Sequence, residues 1–105
     1  MPTYVVISNH PPNSCPSANE ELRKRSRNMQ ESLDPLLKKY EVKPTTILHL
    51  DPGHKLLWVF ESPSAEAVRD LLYEGGFMQW NDFEFYMTTT LEGILGIVEK
   101  LPPVS

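Results

Sequence analysis

The segment His10-Pro11-Pro12-Asn13-Ser14-Cys15-Pro16 places the chain's only cysteine five residues after a histidine, in a loop stiffened by three prolines. Imidazole and thiolate are strong ligands for zinc, copper, nickel and iron. Side by side they also make a nucleophile and its base, the arrangement of thiol enzymes and sulfur carriers. The other two histidines, His49 and His54, extend the possible metal set to His10, Cys15, His54 and His49. Their spacing matches no standard zinc motif. Each also has a plainer reading: a cysteine that is only a small residue in a proline-rich turn, and histidines that only make hydrogen bonds.

A second group of residues suits proton transfer and ligand binding. Cys15, His49 and Tyr86 are the catalytic candidates: the first as a nucleophile activated by His10, the others as proton carriers together with Glu84. Trp58, Trp80 and Glu84 are the candidates for holding a small ligand. Trp80 follows Gly75-Gly76 in Phe77-Met78-Gln79-Trp80-Asn81, a good place for a pocket lid. Trp58 sits in a strand-like run and is equally suited to the core or an interface. The chain has no P-loop, Rossmann fingerprint or Ser-His-Asp constellation.

These residues must be positioned by a single domain spanning 1–105, since 105 residues suffice for one hydrophobic core. Apolar residues make up 40% of the chain, a globular proportion, and no run of them is long enough to cross a bilayer. A net charge of −4 argues against general affinity for nucleic acid, which depends on neutralising phosphates. The basic run Arg23-Lys24-Arg25-Ser26-Arg27 reads as one face of a mixed-charge helix, with Glu20–Lys24 and Glu21–Arg25 as the expected pairs. One cysteine leaves no intramolecular disulfide and suits a reducing compartment. With a strand-like Tyr4-Val5-Val6-Ile7 in place of a secretory leader, the expected location is cytoplasmic.

Residues 3–8 predict the first strand. Ser17-Ala18-Asn19-Glu20 has capping-box spacing, and Leu22, Ser26, Met29, Leu33, Leu36 and Tyr40 follow at helical steps. A helix beginning at this cap would favour a thiolate at Cys15 through its dipole. Asp34-Pro35 predicts a kink, or a stop and restart capped by Asp34. A second strand over 45–50, the turn Asp51-Pro52-Gly53-His54 and a third strand over 55–61 form a hairpin, with Gly53 free to take a positive φ. Ser62-Pro63 opens the next helix, with Ala65, Val68, Leu71 and Leu72 inward and Gly75-Gly76 ending it. A fourth strand over 82–88 and a short helix capped by Thr90, bearing Leu91, Ile94, Leu95 and Val98, complete the chain.

This order, βαββαβ plus a C-terminal helix, predicts an α+β ferredoxin-like fold: a four-stranded antiparallel sheet with both main helices on one face. Strand parity then assigns residues to faces. Val5, Ile7, Leu57, Val59, Phe83, Phe85 and Met87 are expected under the helices. Tyr4, Val6, Ser8 and His10 are expected on the other face, with Leu56, Trp58 and Phe60. The same face would take Thr45, Ile47 and His49 from the second strand, and Glu84, Tyr86 and Thr88 from the fourth. A face so apolar, with polar groups interleaved, predicts a partner surface or a ligand cavity.

The strand order, the hairpin Asp51-Pro52-Gly53-His54-Lys55-Leu56-Leu57-Trp58-Val59-Phe60-Glu61 and the helix opening Ser62-Pro63-Ser64-Ala65-Glu66-Ala67-Val68 together resemble the dimeric α/β-barrel superfamily. Within it the chain is most similar to small uncharacterised proteins and their nickel-binding relatives. The resemblance implies a homodimer in which two sheets pack face to face, with an enclosed cavity in each subunit. Other branches are cofactor-independent monooxygenases, muconolactone isomerases, haem-degrading enzymes and dye-decolorising peroxidases, so the fold alone selects no reaction. Three functions follow as expectations. The first is a homodimer binding a transition metal (nickel, zinc, copper or iron) or a small ligand near the His10–Cys15 loop. The second is a small enzyme for an apolar or aromatic compound, cofactor-independent or thiol-based. The third is a non-catalytic structural or regulatory dimer. Neither nucleic acid nor membrane is expected as a partner.

Overall fold

The computed structural model describes residues 1–104. Four strands, β1 (Thr3–Asn9), β2 (Lys43–Leu50), β3 (Lys55–Glu61) and β4 (Asp82–Met87), form one sheet in the order β2-β3-β1-β4. Every neighbouring pair is antiparallel. Helix α1 (Glu20–Tyr40) joins β1 to β2, α2 (Ala65–Glu74) joins β3 to β4, and α3 (Leu91–Glu99) follows β4. This is the ferredoxin-like order, with the two long crossovers on one side of the sheet as their handedness requires.

The face assignment from strand parity is correct for β4 and inverted for the other three strands. Tyr4, Val6, Trp58 and Phe60 are buried with Val68, Leu71 and Leu72 of α2 in the core. Val6 lies directly opposite Trp58 on one side and Phe85 on the other, so these three share the helix face. A bulge between Pro44 and Thr46 sets the register of β2, pairing Ile47 with Trp58 and His49 with Leu56. Ile47 and His49 therefore also lie on the helix side. The open face carries Val5, Ile7, Leu57, Val59, Leu48 and Leu50, with Glu84 and Tyr86. The inversion has a physical cause: β1 and β3 are apolar on both faces, so alternation along them does not mark an inside.

Several local details also differ from expectation. The N-cap of α1 is Asn19, whose Oδ1 accepts from the Leu22 amide at 2.9 Å, and Ser17 lies outside the helix. Ser64, rather than Ser62, caps α2, its Oγ accepting from the Ala67 amide at 3.1 Å. Helix α1 runs through Pro35 without a stop and restart. The flanking Leu33, Leu36 and Leu37 pack against the core and hold the turn that lacks one amide donor. Glu20 pairs with Arg23 and Arg27 instead of Lys24, and Arg25 donates to Gln79 instead of pairing with Glu21. Gly53 stays out of the positive-φ region in a turn with a cis Asp51–Pro52 bond, whereas Gly76, just after α2, takes φ 79°.

The C-terminus of α1 is closed by Glu41 in the left-handed region, φ 57°. The Glu41 amide donates to Lys38 at 3.3 Å and the Val42 amide to Leu37 at 3.0 Å. These are the paired bonds of a Schellman ending, with buried Val42 supplying its apolar contact. Lys39 and the Tyr40 hydroxyl both reach Glu74, tying the ends of α1 and α2 together.

Helix α3 is different. Thr90 caps it as expected, its Oγ1 accepting from the Gly93 amide at 3.0 Å. Yet Leu91, Ile94, Leu95, Ile97 and Val98 are all exposed, Leu91 to 74%. The radius of gyration, 16.7 Å, exceeds the roughly 13 Å of a compact chain of this length. No helix among the described residues is long and apolar enough to cross a membrane.

Candidate metal centre

The site forms where β1 ends against the β2–β3 turn. Asn9 and Lys55 are the last register pair, and one step further the His10 amide donates to the His54 carbonyl at 3.1 Å. Strand pairing alone thus sets the two histidines side by side, with ring centroids 5.2 Å apart. His10 continues the alternation of Tyr4, Val6 and Ser8 onto the helix side and is only 9% exposed.

Cys15 is delivered by the proline loop. A single 3-10 turn over Pro12–Ser14 follows Pro11, closed by the Ser14 amide on the Pro11 carbonyl at 2.9 Å and the Cys15 amide on Pro12 at 3.2 Å. The Cys15 carbonyl then accepts from Ala18 at 2.8 Å. With the backbone held on both sides, Sγ lies 3.0 Å from the Ser17 hydroxyl. Sγ and one nitrogen each of His10 and His54 all lie within 4.8 Å of one another. Helix α1 begins only at Glu20, and a helix dipole fades within its terminal turn. The expected dipole effect on Cys15 therefore does not apply; the residues beside the sulfur are Ser17 and the histidine pair.

His10 carries the clearest electrostatic signature. Burial pushes its pKa below the ordinary imidazole value, and the neighbouring positive form of His54 pushes it further. The Asn81 side-chain oxygen, which favours a protonated ring nitrogen, opposes this, and His49 adds slightly to the lowering. His10 is therefore neutral at pH 7, the form that ligates metals. Its Nε2 is buried and has no hydrogen-bond partner. A buried ring nitrogen without a partner, on a residue grouped with a thiol and a second imidazole, calls for a ligand to satisfy it.

The remaining candidates separate. His49 is not in the cluster; its Nδ1 sits 2.7 Å from Asp51 Oδ1. Tyr86 donates to Glu84 at 2.8 Å, and the carboxylate beside it raises the phenol's pKa. That pair lies on the open face of an edge strand at the other side of the sheet from His49, so the three do not form one proton-transfer group. Trp58 is core, its Nε1 donating to Ser8 Oγ at 3.0 Å. Trp80 packs on His10 at 5.5 Å between centroids and donates to Met29 Sδ at 3.0 Å.

A cavity of about 230 Å³ adjoins the cluster between α1 and the sheet, bordered by His10, Cys15, His49, Trp58 and Trp80. A larger groove of about 350 Å³ runs between α2 and β4, but none of the sequence candidates lines it. Sequence reasoning missed Asp51, Asn81 and Met29. The His49-x-Asp51 spacing at a turn was a usable signal for the first; the other two come from distant segments.

No family model and no curated protein matches the chain. Among solved structures it is similar to the de novo designed protein Ferredog-Diesel, at 16% identity, a TM-score of 0.49, and coverage of 82% of this chain and 84% of that one.

Proposed function

We propose that this chain binds a first-row transition-metal ion through His10, Cys15 and His54. One observation carries the reading: ligand atoms of His10, Cys15 and His54 lie within 4.8 Å of one another, and His10 itself has a buried ring nitrogen, Nε2, with no hydrogen-bond partner. Ligands at about 2.0–2.3 Å from a tetrahedral ion stand roughly 3.5 Å apart, so closing the site takes movements of about an ångström. Two imidazoles and a thiolate suit zinc, copper, nickel or iron and are wrong for magnesium or calcium, which take oxygen. Three protein ligands leave a position for water or a small molecule, as in catalytic rather than structural zinc sites. The nickel-binding relatives suggested by the sequence resemblance belong to the same chemical class.

The test is metal loading of untagged protein, followed by elemental analysis. About one ion per chain is expected. His10→Ala and Cys15→Ser should each weaken binding by more than the roughly 10- to 100-fold typical of losing an outer-shell partner. Unchanged affinity in both variants overturns the reading.

The same proposal takes the protein as a homodimer joined through the open sheet face, as in dimeric α/β barrels. Its support is the apolar surface formed by Val5, Ile7, Leu48, Leu57 and Val59, together with the unpacked α3. A monomer seldom leaves so much contiguous apolar surface in water. Sedimentation equilibrium checks it: a monomer at micromolar concentration would remove this part of the reading.

A further inference from the structure

The cavity beside the metal cluster has a composition that selects its occupant. Its walls are the apolar side chains of Trp58, Trp80, Phe77, Leu33, Leu56 and Met29. Its polar atoms come from Ser8, Ser26, Gln30 and Asn81 and, at the edge, from His10, Cys15 and His49; no lysine, arginine, aspartate or glutamate lines it. A charged ligand would therefore lose its hydration with no permanently charged side chain to replace it. An engineered apolar cavity of about 150 Å³ accepts benzene. At about 230 Å³, this one has room for a single substituted ring. The wall is also held in shape: the Trp58 indole is fixed to Ser8 Oγ, and the Trp80 indole to the Met29 sulfur of α1. At the edge, Asp51 holds Nδ1 of His49, leaving Nε2 as that ring's free hydrogen-bonding atom.

From this we infer that the cavity binds an uncharged, single-ring small molecule bearing one polar substituent, packed between Trp58 and Trp80. The ligand class rests on the cavity alone. Contact between the ligand's polar atom and an ion held by His10, Cys15 and His54 rests on the metal reading above.

Phenol, benzoate and benzylamine are three probes of similar size that differ in charge at pH 7. In chemical-shift titrations of the metal-free protein, phenol should move the indole N–H signal of Trp80 and bind at least tenfold more tightly than either charged probe. Leu33→Trp, which fills the cavity, should weaken phenol binding at least tenfold. Ser26→Phe narrows the same space from a position that does not pack against the core and serves if the first variant does not fold. Equal affinity for benzoate or benzylamine, or unchanged phenol binding in a folded cavity-filling variant, overturns the inference. Cobalt(II) separates the two readings. Phenol binding without a thiolate-to-cobalt absorption band removes the metal reading and keeps the ligand class. A cobalt band without phenol binding does the reverse.

Discussion

The two faces of the sheet are built from nearly the same residue types and have opposite fates. Beneath the helices, Val6 and Phe60 are fully buried among Trp58, Leu71 and Val68. On the other face Val59 and Leu57 are only half-buried, while Leu48 is 53% and Tyr86 50% exposed. Hydrophobicity therefore does not decide which side is core; helix placement does. The polar chemistry divides along the same line. His10 reaches the covered side, where burial leaves its nitrogen without water, whereas the Tyr86–Glu84 pair sits in solvent with its hydrogen bond made. A buried group without a partner points to a ligand far more strongly than an exposed satisfied pair does.

The contrast can be broken by mutation. Phe60→Ala should cost about 3–5 kcal/mol of unfolding free energy, read by urea denaturation, because it leaves a cavity in the covered face. A loss below about 1 kcal/mol would mean that the helix side is not the core. Leu48→Lys on the open face should leave unfolding at high dilution nearly unchanged but weaken self-association at least tenfold, about 1.4 kcal/mol. Sedimentation checks this, and an unaltered association constant would show that the open face is not the interface. Smaller again, Glu41→Gly should stabilise the chain by about 1 kcal/mol by relieving a left-handed non-glycine residue at the end of α1. Its effect on association should be nil, since it strengthens only the helix cover.

The smallest expected effect is a pH dependence. The folded-state pKa of His10 lies below its ordinary value of 6.5, so the unfolded chain binds more protons in that interval. Metal-free stability should then fall as pH drops through 6.5 toward the folded pKa, and His10→Gln should flatten that part of the profile. An unchanged slope in the variant would assign the titration to another group. A bound ion would steepen the dependence, because protons compete for the same nitrogen.

Much of this arrangement was legible in the residues. The β-branched runs, the prolines and glycines at the turns and the helical steps from Leu22 to Tyr40 specify the element order. That order in turn leaves few topologies for the sheet. His10 and Cys15 stand out by residue type and constraint. The caps were misplaced by two residues at both long helices because a serine hydroxyl and an asparagine amide oxygen can each accept from a free amide, and two such residues stood within reach at each helix start. The cap error mattered functionally: it moved the helix end away from Cys15 and removed the dipole argument for a thiolate.

By itself, then, the sequence determined the secondary structure and the ferredoxin-like order, since those follow from local patterning and chain connectivity. Which face of β1, β2 and β3 lies under the helices was left to the tertiary structure, because β1 and β3 are apolar on both sides and carry no parity signal, and β2 takes its face from its bulged register against β3. Tertiary pairing also decided that His54, and not His49, joins His10 and Cys15. Residues 44 positions apart in the chain become neighbours only when β1 and β3 take one register and not another.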